Sequence, residues 1–360
     1  MEGRGTADYA KPFRRAQWTD ILPRAAVRPE IPARVLLHAG PPYRGAPPAP
    51  VMNAAIQALL FEGLAADGAA ARDLLQRGAV QLQPAQDHGI VTPLAQVVSA
   101  SMLLVVVRQH THTGCAPLIE GPAPALRFGS PAPDCLRRLR EWSARAETFL
   151  APMVRSRPLC VAAVIDAAVA AGDECHARTA AANAALVSGL SGLDAGCADA
   201  LLANPAFVLT ILMAAAAAAL RGSGIDAIGG NGIDFGVRRR GASAWTQMAA
   251  QAPRGTRFTG LDALTALPAI GDSAVIDFCG LGGQALAAAP LLAAEWRAAL
   301  PVDALATARD LIDPDTGLVD PARIRRQARA PLINLAILDC DGAAGLIGRG
   351  FYNPPPALFS

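Results

Sequence analysis

Residues 205–220, PAFVLTILMAAAAAAL, are sixteen consecutive positions without a charge and with one hydroxyl, Thr210. A helix that is apolar on every face must be enclosed on every face, by lipid or by further layers of protein. A spanning helix needs about 20 strongly apolar residues, and this run is shorter and rich in alanine. It therefore predicts a buried core helix rather than a membrane span. Enclosing such a helix takes a large chain, and 360 residues, 52% of them apolar and 17% charged, supply one. That length also exceeds the size at which one core usually stays undivided, so two or three lobes are expected.

The charge balance excludes whole classes of partner. A formal net charge of +2, with 32 basic against 30 acidic residues and no basic stripe interleaved with aromatics, argues against nucleic acid. The first residues, MEGRGTADYAKPFRRAQW, lack the apolar stretch of a secretory signal, which predicts a cytoplasmic protein with no membrane partner. Seven cysteines, an odd number with no CxxC spacing, argue against a disulfide framework and a structural zinc site. Reduced thiols, no metal and no cofactor are expected. The apolar excess predicts large faces to cover, hence a homo-oligomer or a hetero-complex.

Periodicity divides the chain. Residues 1–30, with Tyr9 and Trp18, read as an N-terminal arm or helix. Residues 31–134 read as a first α/β portion: a short strand at RVLLHA, a loop at AGPPYRGAPPAP, helices over 52–63 and 67–77, and a strand over 97–107 (VVSASMLLVVV) that is apolar on both faces. From 135 to 222 the apolar spacing is helical throughout, which predicts a helical bundle. Residues 223–360 return to short apolar segments and glycines, a second α/β portion with a strand over 331–338. The fold class is α+β, two α/β lobes around a central helical bundle.

Four stretches carry candidate chemistry. GDECHAR, 172–178, concentrates two acids, a thiol, an imidazole and a guanidinium between two bundle helices. If the second helix begins near Asp173, that side chain caps it, Glu174 favours its positive end and Glu174 pairs with Arg178 at i,i+4. That reading leaves Cys175 and His176 unexplained. GGNGIDFG, 229–236, offers either an amide-lined anion turn around Asn231 and Gly232 or a plain hairpin; it has neither phosphate-loop nor dinucleotide spacing. IGDSAVIDFCGLGG, 270–283, places Asp272 and Ser273 before an apolar segment, without a GxSxG elbow. QPAQDHGIVTP puts Asp87 and His88 in a loop where a general base or a solvent-facing histidine fits equally. HTHTGC, 110–115, lacks a third metal ligand at a suitable spacing.

Taken in order, LLHAGPP, FEGLA, SASM, EGPAPALRFG, GDECHAR, NGIDFG, GDSA with GLGG, and PLINLAI with GLIGRG resemble the AllG/YlbE-like family over roughly residues 34–350. The resemblance implies two α/β portions separated by a helical bundle. It implies a subunit that works with an FdrA-like subunit and a third chain as oxamate carbamoyltransferase, converting oxalurate and phosphate into oxamate and carbamoyl phosphate. Gly172, Asp173, Glu174, His176 and Arg178 match the family's GDE-x-H-x-R signature, Asn231, Gly232, Phe235 and Gly236 its RNG-x-x-FG segment, and Gly271, Asp272 and Ser273 its GDSA segment. Gly230 stands where that family carries arginine, and Asp277 approximates a glutamate. Carbamoyl transfer from a ureido or amide substrate, with phosphate as a further ligand, needs a proton shuttle, an anion clamp and polarising donors. His176 or His88 would be the shuttle. Arg178 with the Asn231 and Gly232 amides would be the clamp, and Asp173, Glu174 and Asp272 would orient them, with Ser273 also in the binding set. The alternatives are a non-catalytic scaffold for an FdrA-like protein and a paralogue with another substrate.

Overall fold

The structure is a computed structural model and describes residues 7–360. The first stretch contributes β1 (Gln17–Pro23), β2 (Val35–His38), helices α1 (Ala49–Phe61) and α2 (Gly68–Gln76), β3 (Gln81–Pro84), and the hairpin of β4 (Leu103–Gln109) and β5 (His112–Pro117). Helices α3 (Asp134–Arg145), α4 (Ala151–Ser156), α5 (Val161–Ala170), α6 (Ala180–Gly189), α7 (Ala195–Leu202) and α8 (Phe207–Leu220) follow, with the short strand β6 (Leu159–Cys160) among them. The last stretch holds the hairpin of β7 (Ile225–Asn231) and β8 (Asp234–Arg239), then β9 (Thr246–Ala249), β10 (Arg254–Arg257), β11 (Ile270–Gly271), helix α9 (Ala274–Phe278), and the hairpin of β12 (Ile333–Leu338) and β13 (Leu346–Tyr352). Strands and helices together make the α+β fold expected from the sequence.

Three sheets are ordered β5-β4-β1-β6, β10-β13-β12 and β11-β7-β8-β9, and β2 and β3 form a parallel pair. The apolar run becomes α8, in which all residues but Leu209 and Ala217 are buried. It lies against the β4–β5 hairpin. Gly114 sets the approach: a Cβ there would lie 1.9 Å from the Ala214 carbonyl oxygen, so only glycine lets strand and helix close. Gly114→Ala is expected to force them apart and cost roughly 1–3 kcal/mol or more, read as a lower urea midpoint with unchanged slope. One apolar cluster takes in Ala10, Trp18, Leu186, Phe207, Phe235 and Phe359, so bundle and sheets share a core. No single helix among the described residues is long and apolar enough to cross a membrane.

Two sequence expectations differ from the structure. Within the stretch read as an arm or helix, residues 17–23 run as β1, between β4 and β6, because Trp18 is fully buried and packs 6.3 Å from the Phe207 ring. Residues 1–6 of that expected arm lie outside the described residues. The strand read over 97–107 starts only at Leu103. Before it, the chain bridges β2 once, at Leu37 and Val98, and then Ser101 donates its N–H and hydroxyl to the Glu62 carboxylate, which leaves the ladder. The HTHTGC histidines, His110 and His112, sit exposed at the turn between β4 and β5.

Candidate functional site

Helix α5 ends at Ala170, Gly172 turns the chain at φ +81°, and α6 does not begin until Ala180. GDECHAR is thus a loop, and the helical i,i+4 pair of Glu174 and Arg178 does not form. Two buried carboxylates shape the loop. Asp173 accepts from Cys175 N–H through one oxygen, and through the other from the N–H groups of Ala181 and Ala182, so it caps α6 from a distance. Glu174 accepts from the N–H groups of His176, Ala177 and Arg178 and from Asn334 Nδ2 at 2.9 Å. Burial pushes the Glu174 pKa up to about 7, and neighbouring His176 opposes the rise.

This loop turns His176 inward. Its Nδ1 lies 2.8 Å from Asp277 Oδ2, and both side chains are buried. Asp277 projects from α9, and its other oxygen accepts from the N–H groups of Gly283 and Asn334. The GLGG segment exists for this carboxylate: a Cβ on Gly282, at φ +54°, would stand 2.2 Å from Asp277 Oδ1. A carboxylate at Nδ1 fixes the tautomer that leaves the neutral Nε2 a proton acceptor. Burial lowers the His176 pKa, but the charge and hydrogen bond of Asp277, with Glu174 behind it, outweigh burial and raise it.

His176 lines a cavity of about 230 Å³ with Ser273, Asn334, Arg127 and Arg349, among apolar walls that include Leu94, Met213 and Phe258. Arg127 is buried, stacks 4.3 Å over the Phe128 ring and donates to the Gly121 carbonyl. Burial pulls its pKa down to about 10 against the charge of Glu120, which leaves it a cation at neutral pH. Arg349 pairs with Glu295 at 3.3 Å. Asn334 spends its Nδ2 on Glu174, while its buried Oδ1 has no hydrogen-bond partner among the described residues. The cavity is therefore lined by two arginines, a hydroxyl and an oriented imidazole.

Of the residues singled out from the sequence, His176 and Ser273 reach this cavity. Asp173 and Glu174 shape the loop beneath it. Asp272 is a buried tie: it accepts from Gly40 N–H, Gln86 Nε2, and the N–H and hydroxyl of Thr92. Asn231 and Gly232 belong to the turn between β7 and β8, and Asn231 Oδ1 already accepts from the N–H groups of Ile233 and Asp234. The GGNGIDFG stretch is thereby a hairpin rather than an amide-lined anion turn. Arg178 is half-buried and lies outside the cavity wall, and its guanidinium makes no ion pair among the described residues. His88 also lies outside it, with Nε2 against Gln83 Oε1 at 2.9 Å. No side chain fits at Gly230, where a Cβ would stand 2.2 Å from the Ala269 oxygen. Arg127, Arg349, Asn334 and Asp277 were not among the site residues read from the sequence, although they lie inside EGPAPALRFG, GLIGRG, PLINLAI and the segment joining GDSA to GLGG.

Fold and site define an α+β protein with a mainly apolar cavity that two arginines also line and that has a histidine–carboxylate pair in its wall. The profile of the family described as oxamate carbamoyltransferase subunit AllG matches residues 80–273. Over 390 aligned positions the chain is 30% identical to the oxamate carbamoyltransferase subunit AllG of Escherichia coli (strain K12), covering 96% of this chain and 92% of that protein. It is 28% identical over 376 positions to the uncharacterized protein YahG of the same organism, covering 92% of this chain and 79% of that one. The crystal structure of a conserved protein of unknown function from Enterococcus faecalis V583 superposes with a TM-score of 0.81 at 26% identity, over 98% of this chain and 94% of that one. The chain belongs to the AllG family.

Proposed function

We propose that this chain is the carbamoyl-transfer subunit of a complex with an FdrA-like partner, acting on a small ureido or amide acid such as oxalurate, with phosphate as acceptor. The observation that carries the reading is that His176, oriented by Asp277, faces the same cavity as Arg127 and Arg349. In the forward direction a phosphate oxygen attacks the ureido carbonyl, the carbon–nitrogen bond breaks, and the nitrogen leaves with a proton as the amide. His176 Nε2 takes the proton from the attacking phosphate and returns it to the leaving nitrogen. Arg127 and Arg349 hold the substrate carboxylate and phosphate, and the Ser273 hydroxyl donates to the tetrahedral oxyanion. The family name supports the reaction class, and the seven free cysteines suit a reducing, cytoplasmic setting.

The test is to assay carbamoyl phosphate formation from oxalurate and phosphate, with the chain alone and with its FdrA-like partner. Turnover is expected in the complex and is expected to fall with Arg127→Met or Arg349→Met in this chain. A complex that turns over at the wild-type rate with both substitutions would make this chain a scaffold. The pH profile has a definite sign. His176 acts as base in its neutral form, and its raised pKa keeps it protonated to higher pH, so kcat/KM should climb through a value above the usual 6.5 of imidazole. Asp277→Asn removes the stabilising charge and should shift that limb to lower pH while lowering the plateau.

A further inference from the structure

The cavity that His176 and Ser273 line is walled mainly by apolar side chains. Ala206, Leu209 and Met213 follow one another at helical spacing where α8 begins, so they share one face. Ala336 of β12 and Leu346 of β13 add to the wall, as does Phe258 just beyond β10, whose N–H donates to the Ile347 carbonyl at 3.0 Å. Leu209 packs against the core that bundle and sheets share, and Ala336 and Leu346 against a second apolar cluster. Yet Leu209, Phe258, Ala336 and Leu346 are each only half-buried. A helix that is apolar on every face has to be enclosed on every face, and Leu209 is one of the two α8 residues that the protein covers incompletely.

Oxalurate does not match such a wall. It is a ureido group joined through a carbonyl to a carboxylate, with no hydrogen on any carbon, and phosphate has no carbon at all. Neither has apolar surface of its own to set against these side chains, whereas an aliphatic or aromatic group would take them out of water along with itself. The apolar wall is continuous with His176 and Ser273, so what fills it belongs to the molecule whose other end reacts there. We infer that the preferred substrate is a ureido acid with an aliphatic or aromatic side group on the carbon that bears the ureido nitrogen, the class of N-carbamoyl amino acids with apolar side chains. The side group lies among Leu209, Phe258, Ala336 and Leu346, and the ureido carbon lies at His176 and Ser273. The reacting end rests on the carbamoyl-transfer reading above; the apolar end does not. A phosphate oxygen bonds to the ureido carbon, the carbon–nitrogen bond breaks, and the nitrogen leaves with the proton that His176 returns, giving carbamoyl phosphate and the free amino acid.

Two measurements on the chain with its FdrA-like partner separate the ends. In the reverse direction, enzyme-dependent carbamoylation of leucine, glycine and oxamate by carbamoyl phosphate should show kcat/KM for leucine at least roughly tenfold above that for glycine or oxamate, the discrimination that a few methylene groups give in an apolar pocket. By calorimetry, N-carbamoyl-leucine should bind at least roughly tenfold more tightly than N-carbamoylglycine, and with a more negative heat-capacity change, the mark of apolar surface leaving water. Ala336→Leu, checked for an unchanged melting curve, fills the cavity and should abolish the preference for leucine; Leu209→Ala, which removes part of the wall, should reduce it. Equal kcat/KM for the three acceptors with equal binding of the two ureido acids would overturn the inference and leave the reaction standing. Tighter binding of N-carbamoyl-leucine that is lost in Ala336→Leu, with no turnover of any acceptor, would support the apolar subsite and remove the reaction. A preference for leucine that persists unchanged in both variants would place the side group elsewhere and overturn the assignment.

Discussion

His176→Ala is expected to lower kcat/KM for carbamoyl transfer by roughly 10²–10⁴-fold, the contribution of a positioned general base, while the protein stays folded. The imidazole lines the cavity wall, and its removal leaves Asp277 Oδ1 its two backbone donors, Gly283 and Asn334, while Oδ2, which bonds only the ring, is opened onto the cavity. The loop that carries it is held by Asp173 and Glu174 and does not depend on the ring. His176→Gln separates the two roles, because it can still donate to Asp277 but cannot shuttle a proton; activity should remain low while the melting temperature stays near wild type. Activity within a few-fold of wild type in both variants, measured in the complex with the partner subunit, would remove His176 from the reaction.

The residues that reach the site were only partly legible in the sequence, for a physical reason. A loop such as GDECHAR advertises itself by packing titratable groups into seven positions, and His176 is found that way. Yet the same density misleads over Asp173, Glu174 and Arg178. Local pattern makes them a helical cap and ion pair, whereas the buried carboxylates collect backbone N–H groups and hold the chain out of the helix. Arg127 and Arg349 were illegible as a pair because they lie in separate segments, on the loop after β5 and on β13, and the fold alone brings them to one cavity. Asp277 sits in an apolar stretch that reads as a segment interior, and only the turn at Gly282 shows that its carboxylate is accommodated there.

The fold was more legible, because periodicity records which faces are buried. The run that became α8 and the apolar strand of β12 carry that record directly. Trp18 and its neighbours do not: β1 is mixed in polarity, with a burial pattern that alternates irregularly, and its place between β4 and β6 follows from partners eighty or more residues away. Gly230 shows the converse, a position where likeness to a family implies a charge and packing forbids one, since β11 passes too close for any side chain.

Asp272→Ala is expected to destabilise the protein by about 3–5 kcal/mol, the largest stability effect of any single change considered. Its two carboxylate oxygens take four hydrogen bonds from three separate segments, at Gly40, Gln86 and Thr92, and the residue is fully buried. Alanine would strand those donors where water does not reach them, and the segments before α1 and before β4 would lose their common tie to the end of β11. Burial pushes the Asp272 pKa up to about 7, against the pull of its donors. A carboxyl whose folded-state pKa is raised binds its proton more tightly folded than unfolded, so its contribution to stability declines as pH rises from about 4 to about 7. The gap between wild type and variant should therefore be wider at about pH 5 than at about pH 8, when both are unfolded in urea. Because Ser273 is the next residue and lines the cavity, activity should fall with stability in Asp272→Ala. A variant that unfolds at the wild-type urea concentration at both pH values would mean that the four bonds do not hold these segments together.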